Sequence, residues 1–117
     1  MIGGIYSGLS ALQAIQKNVD SIAHNTANVN TDGFKKTKVS LQEGTYQGVT
    51  VDIRRVDTPG PLVYEQGPEG SELVEKSNVE LSEEIPNMML SRRAFQANVK
   101  TIQAEDEMLG YILDIKG

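Results

Sequence analysis

LSEEIPNMMLSRRAFQANVKTIQAEDEMLGYILDIK, residues 81–116, decides the fold. Leu81, Ile85, Met88, Phe95, Val99, Ile102, Leu109 and Leu113 follow one alternation of four and three. Arg92 and Asp106 hold the remaining seam positions. A seven-residue repeat of this length predicts a long helix that winds left-handedly on a partner. At 1.5 Å per residue it would run roughly 50 Å. Its start is marked twice: Ser77 and Glu80 have capping-box spacing, and Ser82 is a second N-cap candidate. Pro86 favours the later start, because near a first turn its missing N–H costs at most one early hydrogen bond.

A second helical pattern lies at the other end, from Ile5 to about Asn28. Ile5, Leu9, Leu12, Gln16, Val19 and Ala23 repeat the alternation, and Ile15 and Ile22 widen the stripe. Asn18, Asn25, Asn28 and Asn30 then accumulate, and asparagine favours helix ends and turns. Asp32-Gly33 closes the segment as a turn.

Between the helices the character changes. Gly44, Gly48, Pro59, Gly60, Pro61, Gly67, Pro68 and Gly70 forbid a long helix. Val49, Val51 and Ile53 alternate with polar residues, which predicts a half-buried strand, and Leu62-Val63-Tyr64 is a short partner strand for it. Gln66 to Gly70 is expected as an exposed loop. The expected fold is mainly α with a small β segment. Terminal amphipathic helices pair as a coiled coil around a hairpin-like middle. Residues 1–34 and 77–117 form one helical core, and residues 35–76 form an irregular, β-rich insert. Neither helix hides its stripe alone, so the stripes pair with each other or with neighbouring subunits. Each fully buried Leu or Ile in such a seam contributes roughly 1.5–3 kcal/mol.

The composition narrows the function. Across 117 residues the net charge is −5, aromatics are 5%, and there is no cysteine. Acidic balance argues against nucleic-acid binding, and the run Lys35-Lys36-Thr37-Lys38 is too short to reverse it. Without cysteine, neither disulfides nor thiolate metal sites form. No stretch reaches the roughly 18 apolar residues of a membrane span. Met1 to Ile5 shows no basic region leading into an apolar one, so no cleavable signal is expected. His24 is the lone histidine, with Asp20 one turn before it as a surface partner. No nucleophile elbow or phosphate loop is present. Glu83-Glu84 suits a helix N-terminus, and Glu105-Asp106-Glu107 suits a solvated face. No catalytic residue, cofactor, metal or small-molecule substrate is expected.

Two stretches resemble one family. Ser7-Gly8-Leu9-Ser10-Ala11-Leu12, followed by Asn25-Thr26-Ala27-Asn28-Val29-Asn30-Thr31-Asp32-Gly33-Phe34-Lys35-Lys36, is similar to the N-terminal signature of bacterial flagellar basal-body rod and hook proteins. Its core reads A-N-x-N-T-x-G-[FY]-K. Ser77-Asn78-Val79-Glu80-Leu81-Ser82-Glu83-Glu84, followed by Asn87-Met88-Met89 and Arg93-Ala94-Phe95-Gln96-Ala97-Asn98, resembles that family's C-terminal signature. Asp32 and Pro86 depart from the usual pattern. The short middle looks most like proximal-rod members.

The resemblance implies a structural subunit that polymerises through its terminal helices for motility. Its partners would be further copies, other rod and hook proteins and the flagellar export apparatus. Its place would be the periplasm-spanning rod, reached without a cleaved signal. The assembly residues on this view are Leu9, Leu12, Val19, Ile22, Asn28, Asn30, Gly33, Phe34, Leu81, Ile85, Phe95, Gln96, Asn98, Val99, Ile102, Leu109 and Leu113. Plainer roles stand beside these. Asn28, Asn30 and Gly33 also suit a local helix end and Asx turn. Gln96 and Asn98 also suit a solvated face. The rival function is a soluble coiled-coil adaptor or flagellar export chaperone that holds one partner.

Overall fold

The structure, a computed structural model, describes residues 2–45 and 48–116. Helix α1 spans Ile2–Ala27, and helix α2 spans Leu81–Lys116. Between them lie β1 (Thr37–Glu43), β2 (Val49–Arg55), β3 (Leu62–Gly67) and β4 (Gly70–Glu75). Mainly α with a small β segment is therefore the observed class.

The middle holds two separate antiparallel hairpins, β1–β2 and β3–β4. This corrects two expectations. The partner of Val49–Arg55 is Thr37–Glu43, with Val39 opposite Ile53 and Leu41 opposite Val51. The signal for β1 was present in Val39 and Leu41 alternating with Lys38, Ser40 and Gln42. Leu62–Gly67 instead pairs with Gly70–Glu75. The expected loop at Gln66–Gly70 shrinks to a tight turn at Pro68-Glu69, where proline presets the first corner.

The helices run antiparallel. Gly4 lies against Glu105, Gly8 against Ile102, Asn18 against Ser91, and Asn25 against Glu84. A methyl group built on Gly8 would come 2.8 Å from Cγ1 of Ile102, so the missing side chain sets how closely the helices approach. On α1 these positions, with buried Ile15 and Ile22, form a seam one residue earlier than the stripe that runs through Leu9. On α2 the buried or half-buried positions are Glu83, Glu84, Met88, Ser91, Asn98, Val99, Ile102, Glu105 and Leu109. The intrachain seam is thus small and polar in alternate layers. Large side chains next to it stay outside: Leu9 is 51% exposed, and Ile85, Leu90 and Leu113 are exposed as well.

α2 begins at Leu81, and the Glu80 carbonyl accepts from the Glu83 and Glu84 N–H groups at 3.0 Å. The capping box does not form, because the Ser77 hydroxyl accepts from the Val79 N–H, 3.1 Å away. Ser82 lies inside the first turn rather than at the N-cap. Pro86 sits one turn further on and leaves the Ser82 carbonyl without its helical donor, a small loss this close to the helix start. Because α2 is 36 residues and α1 is 26, α2 runs on past Gly4 with no helix among the described residues beside it. Met108, Tyr111, Ile112, Leu113 and Ile115 on that overhang are all exposed. No helix among the described residues is long and apolar enough to cross a membrane.

Candidate assembly site: the signature junction

The two signature stretches meet at the end of the helical pair opposite the overhang. Asn25 is at the centre, 1% exposed. Its Nδ2 donates to the Thr37 carbonyl at 2.8 Å, and its Oδ1 accepts from the Thr37 N–H at 3.0 Å. One side-chain amide thereby acts as a peptide unit and continues the β1 ladder onto a helix. The same Nδ2 also donates to Oε1 of Glu84, 3.3 Å away across the helix pair. Ser21 adds a hydroxyl contact to Thr37 Oγ1 at 2.6 Å. About three turns back along α1, Ser10 Oγ accepts from the Val49 N–H at 2.8 Å and donates to its carbonyl at 3.0 Å. The β1–β2 hairpin is therefore held to α1 at both strands by polar side chains.

Asn78 does the matching work from the C-terminal signature. Its Oδ1 accepts from the Lys36 N–H at 2.7 Å, and its Nδ2 donates to the Val56 and Thr58 carbonyls at 2.8 and 2.9 Å. Gly60 passes directly against the Lys76 backbone, where a Cβ would collide with the carbonyl oxygen. Lys35 pairs with Glu75, Lys36 with Glu83, and Lys76 with both Asp32 and Glu65. The Lys35 ammonium and the Gly60 N–H hold the Glu75 carboxyl below its ordinary range. Hydrogen bonds to Glu65 and Asp32 raise Lys76.

The sequence-derived residues divide accordingly. Asn28 bonds its own helix end: Nδ2 donates to the His24 carbonyl at 2.8 Å, and Oδ1 accepts from the Thr31 hydroxyl at 3.0 Å. Gly33 takes φ 70° and donates to the Glu75 carbonyl at 2.9 Å. A left-handed residue is what this turn requires, and glycine supplies it without strain. Phe34 meets His24 edge to face, with ring centroids 5.5 Å apart. His24 therefore stacks instead of pairing with Asp20, which accepts from Gln16 Nε2 at 2.9 Å. Asn30 is exposed. Ile22 is buried in the helix pair, and Leu12, Val19, Val99, Ile102 and Leu109 are half-buried. Leu81, Ile85, Phe95, Gln96 and Leu113 face outward. Asn98 bonds back to the Ala94 carbonyl at 2.9 Å. Asn25 and Asn78 stand in the two signatures and Gly60 among the helix breakers, but none of the three was expected as an assembly residue. Each is a residue whose role depends on a backbone segment far away in the chain. Among the described residues no three His, Cys, Asp or Glu gather as a metal site.

Burial raises the Glu84 carboxyl, aided by Glu83 beside it and opposed by the Asn25 amide and Lys36. A carboxyl whose folded-state pKa is raised binds its proton more tightly when folded. Its contribution to stability is present in acid and lost as pH rises through the folded value. Glu84→Gln is therefore expected to exceed the parent in denaturation midpoint at pH 7. The gap should close towards pH 4, which urea melts followed by circular dichroism across pH would show. A parent more stable than the variant at pH 7 would contradict this balance.

The fold and the junction define a class: an elongated subunit, helical at both ends, whose two ends are tied together around a small β insert. Comparison supplies the family. Residues 5–35 match the family described as "Flagella basal body rod protein", and residues 71–115 match "Flagellar basal body rod FlgEFG protein C-terminal". The chain belongs to the flagellar basal-body rod and hook family. It is 42% identical over 60 residues to flagellar hook protein FlgE of Borreliella burgdorferi, covering 51% of this chain and 14% of that protein. It is 41% identical over 49 residues to flagellar basal-body rod protein FlgG of Bacillus subtilis, covering 42% and 19%. With FlgG of Buchnera aphidicola subsp. Schizaphis graminum it shares 40% over 75 residues, covering 60% and 26%. The matches thus span only 14% to 26% of these relatives' lengths.

Proposed function

We propose that this chain is a structural subunit of the flagellar rod that polymerises through its terminal helices. Export by the flagellar type III apparatus and a place in the periplasm-spanning rod are part of this proposal and rest on the family relationship. The short insert, two hairpins between residues 37 and 75, supports a proximal-rod type.

The observation that carries the proposal is the position of the large apolar side chains. The intrachain seam uses Gly4, Gly8, Asn18 and Asn25, leaving Leu9, Ile85 and Leu113 outward, with Ile115 on the overhang 85% exposed. Exposed apolar surface of this extent marks an interface. A subunit with one surplus helix end docks head to tail, and such contacts form open filaments when the rotation does not close.

Light scattering with circular dichroism over a concentration series tests this. Large, open-ended assemblies that grow with concentration are expected, with helicity rising as they form. A closed dimer, fully helical at every concentration, would overturn it.

A further inference from the structure

The β3–β4 hairpin stands away from the rest of the molecule. Beyond isolated contacts it packs on neither helix nor the other hairpin. A two-stranded hairpin is marginal in water without a covered face, and this one has an apolar face uncovered. Tyr64 and Leu73 are direct cross-strand partners, and Leu62 lies two residues along on the same face. Tyr64 is 75% exposed, and Leu62 and Leu73 are more than half exposed. The hairpin's base is nevertheless fixed by Lys35–Glu75, Lys76–Glu65 and the Gly60 crossing. The base is tied down and the face is left open.

A matching surface lies on the outer side of α2. Arg93, Phe95, Gln96, Val99, Lys100 and Gln103, all on α2, border a shallow, open and mainly apolar groove. The charges are complementary. The hairpin carries Glu65, Glu69, Glu72 and Glu75 and no basic residue between Leu62 and Glu75. Among the described residues Glu69 and Glu72 have no ion pair, and neither do Arg93 and Lys100 in the groove.

The hairpin cannot seat in its own groove. The molecule is 81 Å long. Helix α2 accounts for about 54 Å of that, and a six-residue hairpin laid end to end adds about 20 Å. The arm therefore projects off one end of the helix pair, while the groove lies well up α2 from its base.

We propose that the β3–β4 hairpin is a docking arm that seats its Leu62–Tyr64–Leu73 face in the Phe95–Val99 groove of a second copy of this chain. Arg93 and Lys100 of that copy flank its acidic turn. This rests on the polymerising function proposed above and names the contact through which neighbours engage.

The absence of native cysteine makes the test clean. A Ser71→Cys chain, altered at the tip of the apolar face, is mixed with a chain carrying Gln96→Cys or Gln103→Cys in the groove. The mixture is assembled and oxidised gently. A disulfide-linked dimer between the two variants is expected for at least one groove position, with neither variant linking to itself. In the full chain without added cysteine, Leu73→Asp should raise the concentration needed for assembly about tenfold while leaving monomer helicity unchanged. Assemblies that form without the mixed cross-link, or that tolerate Leu73→Asp, would overturn the docking arm and leave the polymerising function standing. A chain that stays monomeric at every concentration would overturn both.

Discussion

Asn25→Ala is expected to lower the stability of the dilute, folded chain by about 3–5 kcal/mol, a large part of what a domain this size possesses. The reason is the number of groups orphaned at once. Thr37 loses the partner of its N–H and the main donor to its carbonyl, and Glu84 loses the amide that faces it. Asn25 and Glu84 are buried and Thr37 is half-buried, so water replaces these partners poorly. Asn25→Asp separates shape from charge. The carboxylate keeps the bond from the Thr37 N–H but sets one oxygen against the Thr37 carbonyl and against Glu84. Its loss should equal or exceed that of alanine at pH 7 and shrink below about pH 4, where carboxyls protonate. Urea melts of the three proteins at both pH values measure this. An alanine variant within about 1 kcal/mol of the parent would mean that the amide is not the pin that holds helix to strand.

The second large effect is expected at Gly60. Alanine there places a methyl group against the Lys76 carbonyl oxygen and its carbon, which are backbone atoms and cannot swing aside. Overpacking of this kind costs about 3 kcal/mol. The consequence should be local. Residues 56–61 and 75–80 should exchange their amide hydrogens faster, while the helix pair, tied separately through Asn18–Ser91 and Asn25–Glu84, keeps its protection. Hydrogen exchange read by mass spectrometry distinguishes that pattern from global loosening, which would show that the junction and the helix pair unfold as one.

The helices were legible because periodicity is a local signal: both appear within a few residues of where the spacing of apolar residues puts them. The choice of face was not legible in the same way. The repeat through Leu9 favours large side chains, whereas α1 pairs through Gly4, Gly8, Ile15, Asn18, Ile22 and Asn25, one position earlier; α2 keeps Met88, Ile102 and Leu109 of its repeat but adds Glu84, Ser91, Asn98 and Glu105 one position before the others. Two stripes lie side by side on α1 and overlap on α2, and only the presence of the partner decides which positions are used inside the subunit. In the middle segment, Val49–Arg55 was readable by its alternation, but its partner was not, since pairing depends on loop closure as much as on pattern. The signature residues were recognisable as a set, although their structural roles were not. Asn28 and Gly33 shape the turn, whereas Asn25 and Asn78 hold backbone segments that lie 12 and 42 residues away in the chain.

The unequal helices carry a consequence for the size of whatever the subunit builds. If each added copy covers the overhang of the one before and presents its own, the growing tip is chemically the same after every step. Nothing within the subunit then counts copies or signals completion. A stack founded on that surplus of α2 has no intrinsic length, and its end must be set from outside, by a limited supply of subunits or by a differently shaped chain that covers the last tip and offers none.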